Sequence, residues 1–153
     1  MDRIDRKILD LLQRDGTISV ADISQRVGLS STPCWKRIQR LEAAGVIQRR
    51  VALLDPEKLG LGLTVFVCIE AGDHTQESLG RFTDTISTME EVVEFHRMAG
   101  DVDYLLRVVV PDVKAYDLFY KRLISIVPLK NVSSRFSVER VKFTTALPIE
   151  IGA

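Results

Sequence analysis

The sequence predicts an α+β fold in two parts: a helical front third, then a longer segment in the order β-α-β-β-α-β. Three observations predict it. Apolar residues as far as Leu41 recur at helical spacing, whereas from Leu63 to Glu70 they alternate residue by residue. Between these regions, Asp55-Pro56-Glu57-Lys58-Leu59-Gly60-Leu61-Gly62 mixes turn formers with charges and reads as a hinge. Charge also changes along the chain. The totals balance at 21 Lys/Arg against 21 Asp/Glu, yet residues 1–50 carry ten basic against six acidic side chains. Only the front part therefore leans towards an anionic partner. The expected boundaries are 1–52, a hinge at 53–62, and 63–153.

In the front part, Ile4, Ile8, Leu11 and Leu12 define the apolar face of a first helix, with Asp2 as its cap and Gly16 as its stop. Ser19 caps a short second helix with Asp22 three residues on, Val20, Ile23 and Val27 facing inward, and Gly28 turning the chain so that Leu29 folds back. A third helix starts at Ser30, Ser31 or Thr32, tolerates Pro33 in its first turn, and ends at Gly45. Two helices joined by a short glycine turn, after a leading helix, form a helix-turn-helix.

The third helix buries Cys34, Ile38 and Leu41. At 100° per residue, Thr32, Lys36, Gln39 and Arg40 face away, Pro33 and Trp35 flank them, and Arg37 lies at the rim. Gln and Arg can read base edges in the major groove, and Lys and Thr can hold phosphates. A charge run alone favours a solvated face; the helix-turn-helix context reverses that in favour of double-stranded DNA. Trp35 either packs or touches the duplex. Val46 to Leu53 is rich in β-branched residues and reads as a β-ribbon wing with Arg49 and Arg50 near its tip, beside flanking phosphates or simply as surface charge. The expected DNA-binding set is Ser31, Thr32, Pro33, Trp35, Lys36, Arg37, Gln39, Arg40, Arg49 and Arg50. This makes a winged helix-turn-helix.

The remainder places strands at about 63–70, 92–98, 104–110 and 132–143. Helices are expected at about 76–87, burying Leu79, Phe82 and Ile86, and from Pro111-Asp112 to about Ile126, burying Ala115, Leu118, Phe119, Leu123 and Ile126. The order is that of a ferredoxin-like sandwich. Apolar residues occupy both faces of the first and third strands, and two helices cover one face only. A second copy of the sheet is the simplest cover for the other, so a homodimer is expected. A symmetric pair would present two recognition helices to half-sites about 34 Å or a multiple apart.

Other classes are disfavoured. Cys34 and Cys68 lack metal-ligand spacing and read as free thiols, and His74 and His96 lack ligand neighbours, so no metal or cofactor is expected. No nucleophile elbow, P-loop or dinucleotide glycine pattern is present, and Glu90, Glu91 and Glu94 read as a solvated strand edge. An enzyme is not expected. The front lacks a secretory h-region and no apolar run spans a bilayer, which points to the cytoplasm.

The run from Gly28 to Leu63 resembles the Lrp/AsnC family of transcription regulators in Gly28-Leu29-Ser30, Arg37, Arg40-Leu41-Glu42, Gly45-Val46-Ile47, Asp55-Pro56 and Gly60. Asp2 to Leu9 and Gly100-Asp101-Val102-Asp103-Tyr104-Leu105-Leu106 extend the likeness over almost the whole chain. The resemblance implies an RAM/ACT-like second domain, dimers that build tetramers or octamers, and an amino-acid effector held between dimers. On that basis Met98, Ala99, Gly100, Asp101 and Tyr104, with Ser133, Ser134 and Arg135, would form the effector site. Asp101 suits an α-ammonium and Arg135 a carboxylate; Asp103 reads as an ordinary turn former. A narrower likeness to a cysteine-responsive member lies in Thr32-Pro33-Cys34-Trp35-Lys36-Arg37, Arg97-Met98-Ala99-Gly100, Phe119-Tyr120-Lys121-Arg122-Leu123 and Thr144-Thr145-Ala146-Leu147-Pro148. That likeness suggests cysteine as the effector, with leucine, lysine or another amino acid as alternatives. The implied function is sequence-specific regulation tuned by an amino acid; the alternatives are an architectural DNA-wrapping protein with little sequence preference and a stand-alone small-molecule-binding module.

Overall fold

The structure is a computed structural model that describes residues 1–72 and 75–151. His74, one of the two histidines considered above, lies outside the described residues. Contacts divide the chain into two compact units, Met1–Leu53 with the tail from Lys142, and Leu54–Val141.

The first unit contains α1 (Arg3–Arg14), α2 (Val20–Val27) and α3 (Ser31–Ala43). Asp2 caps α1 by accepting the Asp5 amide, and Asp5 returns the bond to the Asp2 amide, so two otherwise unpaired donors are satisfied. Gly16 is not the stop. The helix ends two residues earlier at Arg14, where Asp15 turns extended and its carboxylate accepts from Thr17. Gly28 adopts φ 74°, the left-handed turn expected of it, and Leu29 donates back to the Ser24 carbonyl at 2.9 Å. The core of this unit is Ile8, Leu9, Leu12, Ile23, Cys34, Ile38 and Leu41.

The expected wing is absent as a ribbon. After Gly45 (φ 70°), Val46 and Ile47 donate to the Leu41 carbonyl, closing α3, and no strand forms among residues 46–54. The β-branched residues there have no return strand within reach, and one strand alone satisfies none of its own ladder bonds.

The second unit contains β1 (Leu63–Ala71), α4 (Gln76–Ser87), β2 (Val92–Arg97), β3 (Tyr104–Val110), α5 (Val113–Ile124) and β4 (Leu129–Phe136). The sheet is antiparallel in the order β2-β3-β1-β4, as a ferredoxin-like fold requires. Val65, Val67 and Ile69 of β1 and Tyr104, Leu106, Val108 and Val110 of β3 form a core with Phe82 and Ile86 of α4 and Tyr116, Phe119 and Leu123 of α5. Leu118, expected inside, is 58% exposed; the buried stripe of α5 runs through Tyr116, Phe119 and Leu123 at i, i+3 and i+7. β4 starts and stops earlier than expected. It pairs from Leu129 opposite Ala71 to Phe136 opposite Val65, and beyond Ser137 the start of β1 offers no further partner. Residues 142–151 lie in the first unit rather than in the sheet.

Candidate DNA-contact surface and effector turn

The expected DNA-binding residues fall into two groups on α3. Ser31, Thr32, Pro33, Trp35, Lys36 and Gln39 are exposed, while Cys34, Ile38 and Leu41 are buried, as the 100° period requires. Trp35 is 51% exposed, so it is a surface side chain. Lys36 makes no ion pair among the described residues, and Gln39 donates to Glu42 at 2.9 Å.

Arg37 and Arg40 occupy the flank nearest α1. Arg37 donates to Asp2 at 2.6 Å and to Asp5 at 2.8 Å, and its side chain is 26% exposed. It is a strut between two helices, which removes it from the freely offered face. Arg40 donates to Asp5 at 2.7 Å through Nη2, yet its side chain stays 62% exposed. Arg49 is exposed, and Arg50 pairs with Glu42 at 3.0 Å.

The carboxylate at the centre is Asp5, which is 1% exposed. Burial pushes its pKa up, but the Arg37 hydrogen bond, the Asp2 amide and the Arg40 charge outweigh this and hold it below the usual carboxylate range. The Arg37 guanidinium is raised in turn by its bonds to Asp2 and Asp5. Sequence reasoning passed over Asp5 as a functional residue. The signal was its spacing: Asp5, Ile8, Leu9 and Leu12 fall at i, i+3, i+4 and i+7, which puts an acid on the apolar stripe of α1. Such an acid needs a cationic partner.

In the second unit, Met98, Ala99, Gly100 and Asp101 share the exposed β2–β3 turn, with Gly100 at φ 134°, a backbone region that suits glycine. Asp103 ties this turn down. Its amide donates to the Ile69 carbonyl, its carbonyl accepts from Met98, and its carboxylate accepts the Ala71 amide at 2.8 Å.

The other expected effector residues do not converge on the turn. Tyr104 points into the core against Phe82 and Phe95, with ring centroids 5.2 and 5.4 Å away. Ser134 also lies on the helix side, bonded to the Tyr116 hydroxyl. Ser133 and Arg135 lie on the opposite side, across from Cys68 and Phe66 of β1. Strand alternation separates neighbours in sequence onto opposite faces, so a run such as Ser133-Ser134-Arg135 cannot line one pocket from one side.

The open face of the sheet carries Phe66, Cys68, Leu105 and Val109 on its inner strands, with Arg107 opposite Phe66 on β3, Arg135 opposite Phe66 on β4, and Glu94 and His96 on β2. Glu94 is paired with Arg107 at 2.7 Å and lies 3.6 Å from His96, and Glu91 is paired with Arg122, so two of the three acids in that cluster have cationic partners. Cys34 is a buried free thiol, which burial pushes up, and Cys68 is a half-buried one.

These geometries agree with comparisons to known proteins. Residues 1–48 match the model for a winged helix-turn-helix DNA-binding domain, and residues 64–147 match the Lrp/AsnC ligand binding domain. The chain belongs to the Lrp/AsnC family. This Lrp/AsnC member is 54% identical over 151 residues to the DNA-binding transcriptional activator DecR of Escherichia coli (strain K12), covering 98% of this chain and 99% of that protein. Its fold matches the crystal structure of an AsnC family transcriptional regulator from Agrobacterium tumefaciens with a TM-score of 0.93, at 59% identity and 97% coverage of both chains. It also matches a transcriptional regulator from Neisseria meningitidis in complex with L-methionine, with a TM-score of 0.92 at 33% identity over 97% of this chain and 96% of that one. The family assignment and the fold read from the sequence are both upheld. The protein is a transcription regulator with an N-terminal helix-turn-helix for DNA and a ligand-binding second domain. No helix of the described residues is long and apolar enough to cross a membrane.

Proposed function

We propose that this regulator binds near-palindromic double-stranded DNA in the cytoplasm as a homodimer through α3, and that an amino acid bound at the β2–β3 turn tunes its assembly. The single observation that supports this most is the exposed face of α3. Thr32, Trp35, Lys36 and Gln39 stand clear of the core, while Gly28 and the α1–α3 ion pairs fix the helix that carries them. Arg49 and the shared Arg40 add cationic reach at the edges, and Gln39 suits an adenine edge.

Dimerisation is supported by the open sheet face. Phe66 is 38% exposed near Cys68, Leu105 and Val109, an apolar centre that Arg107 and Arg135 flank on the two neighbouring strands. A twofold pairing of identical sheets covers that centre in both copies at once. The effector reading is supported by the exposed Met98-Ala99-Gly100-Asp101 turn, whose shape Asp103 holds. Asp101 offers an acceptor for an α-ammonium group. Tyr104 and Ser134 act beneath the turn and the sheet as packing, and Ser133 and Arg135 belong to the open face. An amino acid that binds tetramer or octamer more tightly than dimer shifts assembly by that difference.

The test is equilibrium binding of the full chain to DNA fragments selected from a random pool, with unselected DNA as competitor. Lys36→Ala combined with Arg40→Ala should abolish selective binding. Unchanged binding by that double variant refutes the α3 reading, and equal affinity for selected and unselected DNA replaces regulation with architectural wrapping. For the effector, thermal shift and sedimentation with cysteine, leucine and methionine should show one amino acid raising Tm and changing particle mass together.

A further inference from the structure

Among the described residues Asp5 is the only buried carboxylate, and it touches the DNA-facing helix without being on it. Its two oxygens are divided between two arginines of α3. Oδ1 accepts from Arg37 at 2.8 Å, and Oδ2 accepts from Arg40 at 2.7 Å and from the Asp2 amide at 3.1 Å. The two arginines differ in what they have left to give. Arg37 spends one Nη on both Asp2 and Asp5 and is mostly covered. Arg40 spends only Nη2, and the rest of its donor fork forms no other bond among the described residues on a side chain that is 62% exposed. Arg37 and Asp2 also matter for charge. With Asp2 and Asp5 against Arg37 and Arg40 the cluster is neutral, so what Arg40 offers a phosphate is its exposed, unbonded donors rather than an uncompensated charge.

We propose that Asp5 is a positioning residue for DNA binding: it holds the Arg40 guanidinium at the edge of α3, where the exposed donors meet a backbone phosphate beside the groove that α3 reads. The proposal rests on the α3 reading above. A free arginine on a helix surface samples many rotamers and loses that freedom when it grips a phosphate. Asp5 imposes most of that loss in the unbound protein, in the rigid fork geometry that guanidinium allows and ammonium does not. The buried acid thus acts through Arg40 and never touches the duplex.

The experiment measures affinity of the full chain for its selected DNA across a salt series, for wild type, Asp5→Asn, Arg40→Ala and the double variant, with thermal melts run alongside. Arg40→Ala should reduce the steepness of log K against log salt by about 0.9, the loss of one phosphate contact. Asp5→Asn should weaken binding about fivefold, the cost of ordering one long side chain, and should have no further effect once Arg40 is Ala. Unchanged or tighter binding by Asp5→Asn overturns the proposal, because Asp5 is then idle or merely screens Arg40. An Asp5→Asn loss that persists undiminished in the Arg40→Ala background also overturns it, because the acid then acts through the fold alone. If Asp5→Asn melts below the assay temperature, Arg40→Lys carries the test. It should bind more weakly with an unchanged salt slope, and wild-type affinity there overturns the proposal. Wild-type affinity and slope in both Arg40→Ala and Lys36→Ala would instead mean that the α3 reading has failed.

Discussion

The two units reach stability by different routes. The sheet unit buries twelve side chains in one cluster, including Phe82, Tyr104, Tyr116 and Phe119, and its helices lie on a face built by strand alternation. The helical unit buries seven, none aromatic, and adds to them the Asp2–Asp5–Arg37–Arg40 ion pairs and a docked tail. A small core leaves charge and capping to contribute a larger share. Substitutions that remove charge should therefore register in the first unit, and those that remove volume most strongly in the second.

The largest expected effect is Phe119→Ala, which opens a cavity beneath the sheet and should cost about 3–5 kcal/mol, read by chemical denaturation. A loss under about 1 kcal/mol would break the comparison, because the aromatic core would then not be what holds the second unit. Ile38→Ala, buried under α3, should cost about 2–4 kcal/mol and abolish DNA binding. Hydrogen exchange sharpens the comparison here: amides of α1–α3 should lose protection while those of β1 and β3 keep theirs.

Asp5→Asn should cost on the order of 2 kcal/mol at neutral pH, since two arginines lose their counter-charge and the amide keeps only one acceptor oxygen between them. Its pH dependence has a definite sign. The folded-state pKa of Asp5 lies below its unfolded value, so its contribution is present above about pH 4 and is lost as pH falls through the lower, folded pKa. Wild type and Asp5→Asn should converge in stability in acid and diverge above it; parallel curves would show that Asp5 contributes no pH-dependent stability.

Removing residues 146–151 should lower the first unit's stability by about 1–2 kcal/mol, the scale of lost Ile149 packing and two backbone hydrogen bonds to Gln13, seen as an earlier melting phase of the helices alone. The smallest effect is Gly28→Ala. Its Cβ meets nothing within 4 Å, so the cost is that of φ 74° alone, about 1 kcal/mol.

The contrast also explains what was legible in the sequence. The helices were readable because Asp2, Ser19 and Gly28 act locally, and Leu63–Ile69 and Tyr104–Val110 because strand alternation is local too. The wing was not, since Val46–Leu53 has β propensity without a partner, and a strand exists only when paired. The end of β4 was misplaced for a similar reason: Val138 continues the alternation of Val132, Ser134 and Phe136, but β1 has already run out. On α3 the helical period correctly turned Lys36 and Gln39 outward. It could not reveal that Arg37 is bound by acids more than thirty residues earlier, a long-range pairing that leaves its trace only in the misplaced acid on α1. In the effector region the turn was legible from Gly100. The grouping of Tyr104 with Ser133 and Arg135 came from the family likeness and ignored which face each residue occupies.

The docked tail has a consequence for how the chain is made. Gln13 holds Leu147 through both its amide N–H and its carbonyl, Arg6 donates to the Glu150 carbonyl at 2.6 Å, and Ile149 joins the helical core. The helices that leave the ribosome first thus await residues translated after the entire sheet. All of residues 54–141 are synthesised before the tail that the helical unit holds. A fragment cut at residue 53 is an unfinished domain rather than a minimal one.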